Sequence, residues 1–349
     1  MGKFKIFAFL LLGLVWAGTA GAHSEESDGG ITPPPGAAPV PVQVGIYLID
    51  ITNIDETRNT FEVELDVLVR WTDTRMAFDP EAAGTDLRVH VGPDAEKIFD
   101  GLWTAQIVLA NPVGQMGVGA RKVSVHADGR IEISVQVNST VRTNLDYRRF
   151  PFDSQVLPII LESFAWNNTV VELVMDPDRT GFAPEFALAE WDVEAIESRV
   201  EDVLRVRDSI PFSNLNYEIR IQRQSGYYLW KIFLTVFIIV SLTWVVFWMS
   251  DERLGRRAGI SSSGILTVIA YQFVTTSTLP RVSYLTVADR VMTVSIITIA
   301  ATMVVSVFVD RIDFENQAAK LRVDRACRWI FPLAYLGMLG LVIGPNGLF

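Results

Sequence analysis

Residues 259–279 read GISSSGILTVIAYQFVTTSTL, and this stretch decides how the rest of the chain is interpreted. It is long enough to cross a bilayer, for which about 20 residues suffice. It is also rich in Ser, Thr and Gly, whereas a helix carries hydroxyl groups at membrane depth only where they face protein or water. The sequence therefore predicts a membrane-spanning helix that borders an aqueous path.

Six residues of this stretch fall on one face of a helix, because each follows the one before by four or three positions. These predicted pore-lining residues are Gly259, Ser263, Leu266, Ala270, Phe273 and Ser277. A ring of such helices would enclose a tube that collars of Leu266 and Phe273 could close by dewetting, so these two residues are the gate candidates. The same face could instead pack against other helices within the lipid, since small residues also serve that purpose.

Three further apolar stretches lie around this one. We predict a transmembrane domain at 227–349 with four helices at about 228–249, 259–279, 287–309 and 326–345, in contact with membrane lipids. The loops after the first and third helices carry basic residues such as Arg253, Arg257 and Lys320. Positive loops stay in the cytoplasm, so we expect a multi-pass protein of the inner (plasma) membrane whose preceding domain lies in the periplasm.

The amino terminus has the features of a secretory signal peptide, predicted at 1–22. Lys3 and Lys5 precede an apolar run at 6–15, and Ala-Gly-Ala at 20–22 is a small-residue cleavage site. Residues 23–41 are rich in Pro, Gly and Ser and are predicted to be disordered. Cys327 is the one cysteine, so the chain cannot form an internal disulfide.

The region 42–226 has the alternating pattern of strands rather than of helices. Segments such as NTFEVELDVLVRWTD and RKVSVHADGRIEISVQV are rich in β-branched residues at every second position. The Asp128-Gly129 pair between two such segments is a hairpin signal. Many short strands separated by turn residues predict an extracellular (periplasmic) antiparallel β-sandwich. The fold class is therefore a multidomain membrane protein, a β-sandwich followed by a four-helix transmembrane bundle.

Composition excludes other classes of function. The 349 residues carry a net charge of −10, which argues against nucleic-acid binding. The mean hydropathy of +0.29 is high for a soluble protein. The sequence shows no nucleophile beside a base, no metal-ligand spacing and no phosphate-binding loop, so we expect no enzyme activity, no cofactor and no metal.

Four motifs together resemble the pentameric ligand-gated ion channels, the Cys-loop receptor superfamily, and especially its bacterial members. They are WTDTRM at 71–76, FPFDSQ at 150–155, RIQR at 220–223 followed by YYLW at 227–230, and LPRVSY at 279–284. The two cysteines of the eukaryotic loop would fall at Thr143 and Leu157, so the family's disulfide is absent.

The resemblance implies a homopentameric channel in which the outer domain is coupled to the gate. The residues that match the coupling positions are Glu56, Asp153, Arg223, Arg281 and Tyr284. An arginine between two carboxylates is strong when it is shielded from water. An exposed ion pair at this place would contribute little.

The resemblance also implies an agonist site of aromatic residues between subunits. The matching positions are Trp103, Phe164, Trp166 and Phe212. Aromatic faces attract organic cations, so an amine is one possible small-molecule agonist. The nearby loop at 202–210 is poor in aromatics and contains Arg205 and Arg207, so the box is incomplete. Protons are the rival agonist. The outer domain has the histidines His90 and His126, and carboxylates such as Glu56, Asp55 or Glu162 could titrate if they are buried or paired, so both agonists stay open.

Selectivity depends on the charges at the cytoplasmic mouth. The candidates are Asp251, Glu252 and Arg256. The acidic outer domain, and the resemblance to bacterial members that pass cations, favour monovalent cations. Cation-selective members of the family usually carry an acid just before the basic residue of the mouth, whereas Arg256 precedes Arg257 here and the linker length resembles that of anion-selective members. A third alternative is a non-conducting sensor whose helices only anchor it, although an anchor does not need a hydroxyl-rich face.

Overall fold

A computed structural model describes residues 32–36, 38–183, 188, 190–205, 208–249, 254–276, 282–313 and 317–344. Its first part consists of strands: β1 Val40–Asp55, β2 Thr60–Thr72, β3 Leu87–Val91, β4 Ile107–Leu109, β5 Gly117–His126, β6 Arg130–Arg142, β7 Ser154–Ser163, β8 Val171–Met175, β9 Gly181–Phe182, β10 Trp191–Val203 and β11 Phe212–Arg223. Two short helices, α1 (Pro80–Ala83) and α2 (Pro93–Asp100), lie between strands. The predicted signal peptide at 1–22 lies outside the described residues.

The strands form two sheets, with the orders β3-β5-β6-β2-β1-β8 and β10-β11-β7-β4, and β9 lies beside β1. Every second residue of β1, from Val42 to Leu48, is fully buried in a core that both sheets share. The predicted β-sandwich is confirmed. The antiparallel prediction is wrong for β8 and β9, which pair with β1 in parallel. The chain crosses from β7 in one sheet to β8 in the other, and such a crossover lets neighbouring strands run in the same direction.

The predicted disordered tail at 23–41 overlaps the first strand. Of this segment, the structure describes 32–36 and 38–41, and β1 already begins at Val40. Val40 and Pro41 pair with Val171 and Glu172 of β8. Proline is tolerated here because the pairing of β1 with β2 begins only at Gln43, so β1 has a free edge at Pro41.

The Asp128-Gly129 hairpin joins β5 and β6 as predicted. Gly129 has a φ of +85°, a conformation that side-chain-bearing residues rarely adopt. A Cβ atom at this position would lie 2.6 Å from the carbonyl oxygen of Asp73. The turn therefore needs glycine for both its backbone conformation and the close approach of a neighbouring loop.

Among the described residues, four helices that are long and apolar enough to cross a membrane follow the sandwich. They are α3 (Gly226–Trp248), α4 (Leu254–Thr276), α5 (Val287–Asp313) and α6 (Gln317–Ile343). The number of helices agrees with the prediction, but α4 and α6 begin before the predicted residues 259 and 326. Hydropathy marks only the apolar part of a helix, whereas the backbone stays helical through charged turns at the membrane surface.

The helices pack around a second core that includes Val240, Trp244, Val268, Ile299 and Tyr335. α4 makes most of its contacts with α5 and fewer with α3. At the end near the sandwich, Tyr284 and Phe233 pack against the core of the outer domain. The start of α3 and the segment before α5 therefore contact the core of the sandwich directly.

Candidate pore and gating site

The predicted pore face of α4 points away from the rest of the subunit. Its five described members are all exposed: Gly259, Ser263, Leu266, Ala270 and Phe273. The gate candidates stand out most, since Leu266 is 68% and Phe273 76% exposed. Ser277 lies outside the described residues. The uncovered face is thus available to line a path formed by several copies of the chain.

The opposite face of α4 is used for helix packing. Ser261 and Val268 are fully buried. A Cβ atom on Gly264 would lie 2.5 Å from Cγ2 of Thr243 on α3, so glycine lets the two helices approach closely. Packing therefore accounts for some small residues of this helix. Packing within the subunit leaves Gly259 and Ser263 exposed.

Two adjacent arginines at the cytoplasmic end of α4 have different environments. Arg257 is 2% exposed, and its Nη2 atom lies 2.9 Å from Oδ2 of the fully buried Asp324 on α6. Arg257 also donates hydrogen bonds to the carbonyl oxygen of Met249 from Nε and Nη2. Arg256 is exposed and lies one turn before Gly259. The selectivity candidates Asp251 and Glu252 lie outside the described residues.

The predicted coupling residues Glu56, Asp153 and Arg223 form one buried cluster. Arg223 donates from Nε to Oδ1 of Asp153 at 2.8 Å and from Nη2 to Oδ2 at 3.2 Å. Its Nη1 donates to Oε1 of Glu56 at 2.6 Å. The Arg223 side chain is fully buried, so this is not the exposed ion pair considered as the alternative. A guanidinium held by two carboxylates in this way is strong and geometrically specific.

Aromatic rings enclose the same guanidinium. Its carbon lies 4.1 Å from the ring centroid of Trp191, 4.9 Å from that of Phe150 and 5.7 Å from that of Tyr228. The rings exclude water and add cation–π attraction. Sequence reasoning missed these residues, although Phe150 belongs to the motif FPFDSQ.

The cluster perturbs the ionisation of its members. Burial opposes the charge of Arg223, but the carboxylates of Asp153 and Glu56 outweigh it and raise the pKa of Arg223. Burial also raises the pKa of Glu56, and the charge of Arg223 offsets only part of this rise. Nearby Asp153 and Glu190 raise the pKa of Glu56 further.

Tyr284 connects this cluster to the helices. The backbone N–H of Tyr147 donates to the hydroxyl oxygen of Tyr284 at 3.1 Å. The hydroxyl of Tyr147 in turn donates to the carbonyl oxygen of Glu56 at 3.0 Å. The segment before α5 is thereby linked to the β1–β2 turn. Arg281, the remaining coupling candidate, lies outside the described residues.

The four agonist-site candidates do not form an open aromatic box within the subunit. Trp103 is 2% exposed and packs against Trp71 in the core, so its place in such a box was wrongly predicted. Trp166 is half-buried, and its Nε1 donates to the carbonyl oxygen of Thr104 at 3.0 Å. Aromatic residues at alternate strand positions serve the core as readily as a ligand site.

The other two candidates, Phe164 and Phe212, lie on either side of Arg205. Phe164 is 61% exposed and Phe212 is buried. The carbon of the Arg205 guanidinium lies 3.6 Å from the ring centroid of Phe212. Arg207 lies outside the described residues.

A family profile described as the neurotransmitter-gated ion-channel ligand binding domain matches residues 28–225. The chain belongs to this family of ligand-gated ion channels. The family recognised from the four motifs is thus confirmed. The channel is a multi-pass membrane protein with an extracellular amino-terminal domain, and its family does not consist of enzymes.

Curated relatives include channels that respond to pH. The channel is 27% identical over 309 residues to a "proton-gated ion channel" of Gloeobacter violaceus, an alignment that covers 88% of this chain and 84% of the relative. It is 24% identical to proteins named "pH-sensitive chloride channel 2" from Anopheles gambiae and Drosophila melanogaster, over 72% and 81% of this chain. The alignments span 42% and 56% of these two insect proteins.

Proposed function

We propose that the chain forms a homopentameric ion channel gated by pH, with a pore lined by α4. The observation that carries this proposal is the exposed stripe of α4, in which small and hydroxyl-bearing residues lie below Leu266 and Phe273. In a ring of five copies the two apolar collars would close the path when they come together. The names of the relatives support a response to protons.

The proposed proton sensor is the carboxyl group of Glu56 in the coupling cluster. Its pKa is raised by burial, so it takes up a proton at a higher pH than an exposed glutamate does. Protonation would remove its charge from the bond to Arg223 and leave Asp153 as the main partner. The hydroxyl of Tyr147 donates to the carbonyl oxygen of Glu56, and the backbone N–H of Tyr147 donates to Tyr284, which precedes α5. A change in the turn at Glu56 would therefore be passed through Tyr147 to Tyr284.

The sign of the permeant ion is a finer proposal with two candidates. Asp251, Glu252 and the net charge of −10 favour cations, as expected from the sequence. A specific observation favours anions: Arg256 is exposed on the side of α4 that carries the pore stripe. Rings of arginine are typical of anion pathways.

The test is the current through the purified chain in a planar bilayer under a salt gradient, while the external pH is stepped from alkaline to acid. We expect a reversible current whose reversal potential gives the sign of the ion. Arg256→Gln should move the reversal potential toward cations if Arg256 sets anion selectivity, whereas Arg325→Gln, an exposed position of α6, should not. Silence at every pH would favour the non-conducting sensor.

His126 supplies the control for the sensor. It lies in β5, where its Nε2 is 3.4 Å from Oε1 of Glu132 and its Nδ1 accepts from Arg130. If Glu56 senses protons, Glu56→Gln should remove most of the pH dependence and His126→Gln should preserve it. The reverse pattern would assign the sensor to His126 in β5.

A further inference from the structure

The rings of Phe164 and Phe212 both contact a cation that belongs to the chain itself. The guanidinium carbon of Arg205 lies 3.6 Å from the ring centroid of Phe212 and 5.8 Å from that of Phe164. Both rings belong to the agonist-site candidates. The position in which an organic cation would contact both rings is therefore taken by Arg205.

Polar contacts hold this guanidinium in place. Nη1 donates to the carbonyl oxygen of Phe164 at 2.9 Å, and Nη2 donates to that of Ser163 at 2.7 Å. Nη2 also lies 3.2 Å from Oε1 of Glu162. Only about a quarter of the side chain is exposed (24%). These hydrogen bonds and this ion pair join the segment after β10 to the end of β7.

The groups around Arg205 are all of the kind that binds a cation. Two aromatic faces, two carbonyl oxygens and a carboxylate offer negative potential and hydrogen-bond acceptors. A free amine would need the same groups. It would also have to displace a group that is tethered beside them and is therefore present at a high effective concentration.

We propose that Arg205 is a built-in cation that fills this site and excludes organic amines from it. Arg205 is then the residue that determines which class of ligand the site accepts. In its absence the site binds small organic cations. This inference deepens the proposed function, because it explains why a channel with these aromatic residues responds to pH rather than to an amine.

The test uses the full-length protein in detergent. The ligand is ethylguanidinium, the part of the arginine side chain that the substitution Arg205→Ala removes. Ethylguanidinium is titrated against Arg205→Ala and wild-type protein, and binding is followed by calorimetry and by thermal unfolding. Ethylurea, which is neutral and of similar shape, is the ligand control. Arg220→Ala is the matched protein control, since Arg220 pairs with Glu197 on the strand surface at 3.2 Å.

We expect Arg205→Ala to bind ethylguanidinium at least about tenfold more tightly than wild type and Arg220→Ala do, which is within the range of a cation–π site. Ethylurea should bind none of the three proteins. Adding Phe212→Leu to Arg205→Ala should abolish most of the gain. If Arg205→Ala does not fold, Arg205→Gln keeps a donor for the two carbonyl oxygens, and the same gain over wild type is expected in that background.

Several results would overturn the inference. They are equal binding of ethylguanidinium to wild type and to the folded variants, equal binding of ethylurea, or a gain that Phe212→Leu leaves intact. These assays do not need a current. If Arg205→Ala binds ethylguanidinium more tightly but the bilayer shows no current, the inference about Arg205 stands and the channel proposal is rejected. If the protein conducts but Arg205→Ala binds no more tightly than wild type, only the inference about Arg205 is rejected.

Discussion

The guanidinium of Arg257 and the carboxylate of Asp324 lie 2.9 Å apart, and both side chains are shielded from solvent. This ion pair joins the first turn of α4, the proposed pore helix, to α6. Arg257 also donates to the carbonyl oxygen of Met249, the residue after α3. The lower ends of three helices therefore converge on one buried guanidinium.

Asp324→Asn should strongly destabilise the folded bundle. The substitution leaves Arg257 buried with an uncompensated charge, and the loss of one partner from such a pair costs about 3 to 5 kcal/mol. The measurement is thermal unfolding in detergent, followed by circular dichroism. Arg325→Gln, a charge change at the exposed neighbouring position, should leave the unfolding temperature almost unchanged.

The double variant Arg257→Met/Asp324→Leu distinguishes a buried charge from a loss of packing. Well-packed apolar residues often replace a buried ion pair at little cost. The double variant should therefore be more stable than Asp324→Asn alone. A double variant that is no more stable than the single one would show that the charge is not the cause.

A second stability test concerns the β5–β6 hairpin. Gly129→Ala forces a side chain into a positive-φ conformation, which costs about 1 to 3 kcal/mol, and places its Cβ against the carbonyl oxygen of Asp73. Gly101→Ala is the matched control, because Gly101 has a φ of −93° and the nearest atom to its Cβ would be 3.6 Å away. Unfolding of the two variants in denaturant should give a clear loss of stability for Gly129→Ala alone. Equal losses would contradict this account of the turn.

Features that depend on local geometry could be predicted from local sequence patterns. The spacing of Ser263, Leu266 and Phe273 fixes their common face because a helix has a fixed period, and the structure exposes that face. The hairpin at Asp128-Gly129 follows from turn chemistry in the same way. Glu56 and Arg223 are 167 positions apart and could be paired only through the resemblance to a family.

The contacts that could not be predicted from the sequence join residues that are far apart along the chain. Asp324 lies 67 positions from Arg257, in a stretch of mixed charges typical of a cytoplasmic loop. Arg205 and Ser163 are 42 positions apart, and no periodicity places one against the other. Trp103 was predicted in the agonist site because composition does not distinguish a core aromatic residue from an exposed one.

The gate candidates give a prediction about conduction. Phe273→Thr and Leu266→Thr each replace an apolar collar by one that water can wet, so the closed pore should leak. Single-channel recordings at the pH where wild type is closed should show a severalfold higher open probability. Leu333→Thr is the control, since Leu333 is 65% exposed on α6. An equal leak in that variant, or none in either pore variant, would argue against the assigned gate.

The last prediction concerns the pH dependence that arises from Glu56. Burial raises the pKa of its carboxyl group, with the charge of Arg223 as a partial offset. The folded state therefore favours the protonated group. Its contribution to stability is complete below the ordinary pKa of glutamate and is lost as the pH rises through the raised pKa.

Glu56→Gln fixes a neutral group at this position, so both the free energy of unfolding and the current should depend less on pH than in wild type. At neutral pH the variant should resemble wild type at acid pH. Asp153→Asn is the comparison, because Asp153 is the bidentate partner of the fully buried Arg223. Its loss should destabilise the folded protein, since the fully buried Arg223 loses its bidentate carboxylate and keeps the single bond to Glu56. If Glu56→Gln kept the full pH response while Asp153→Asn remained stable, the cluster would be neither the sensor nor a structural centre of the junction.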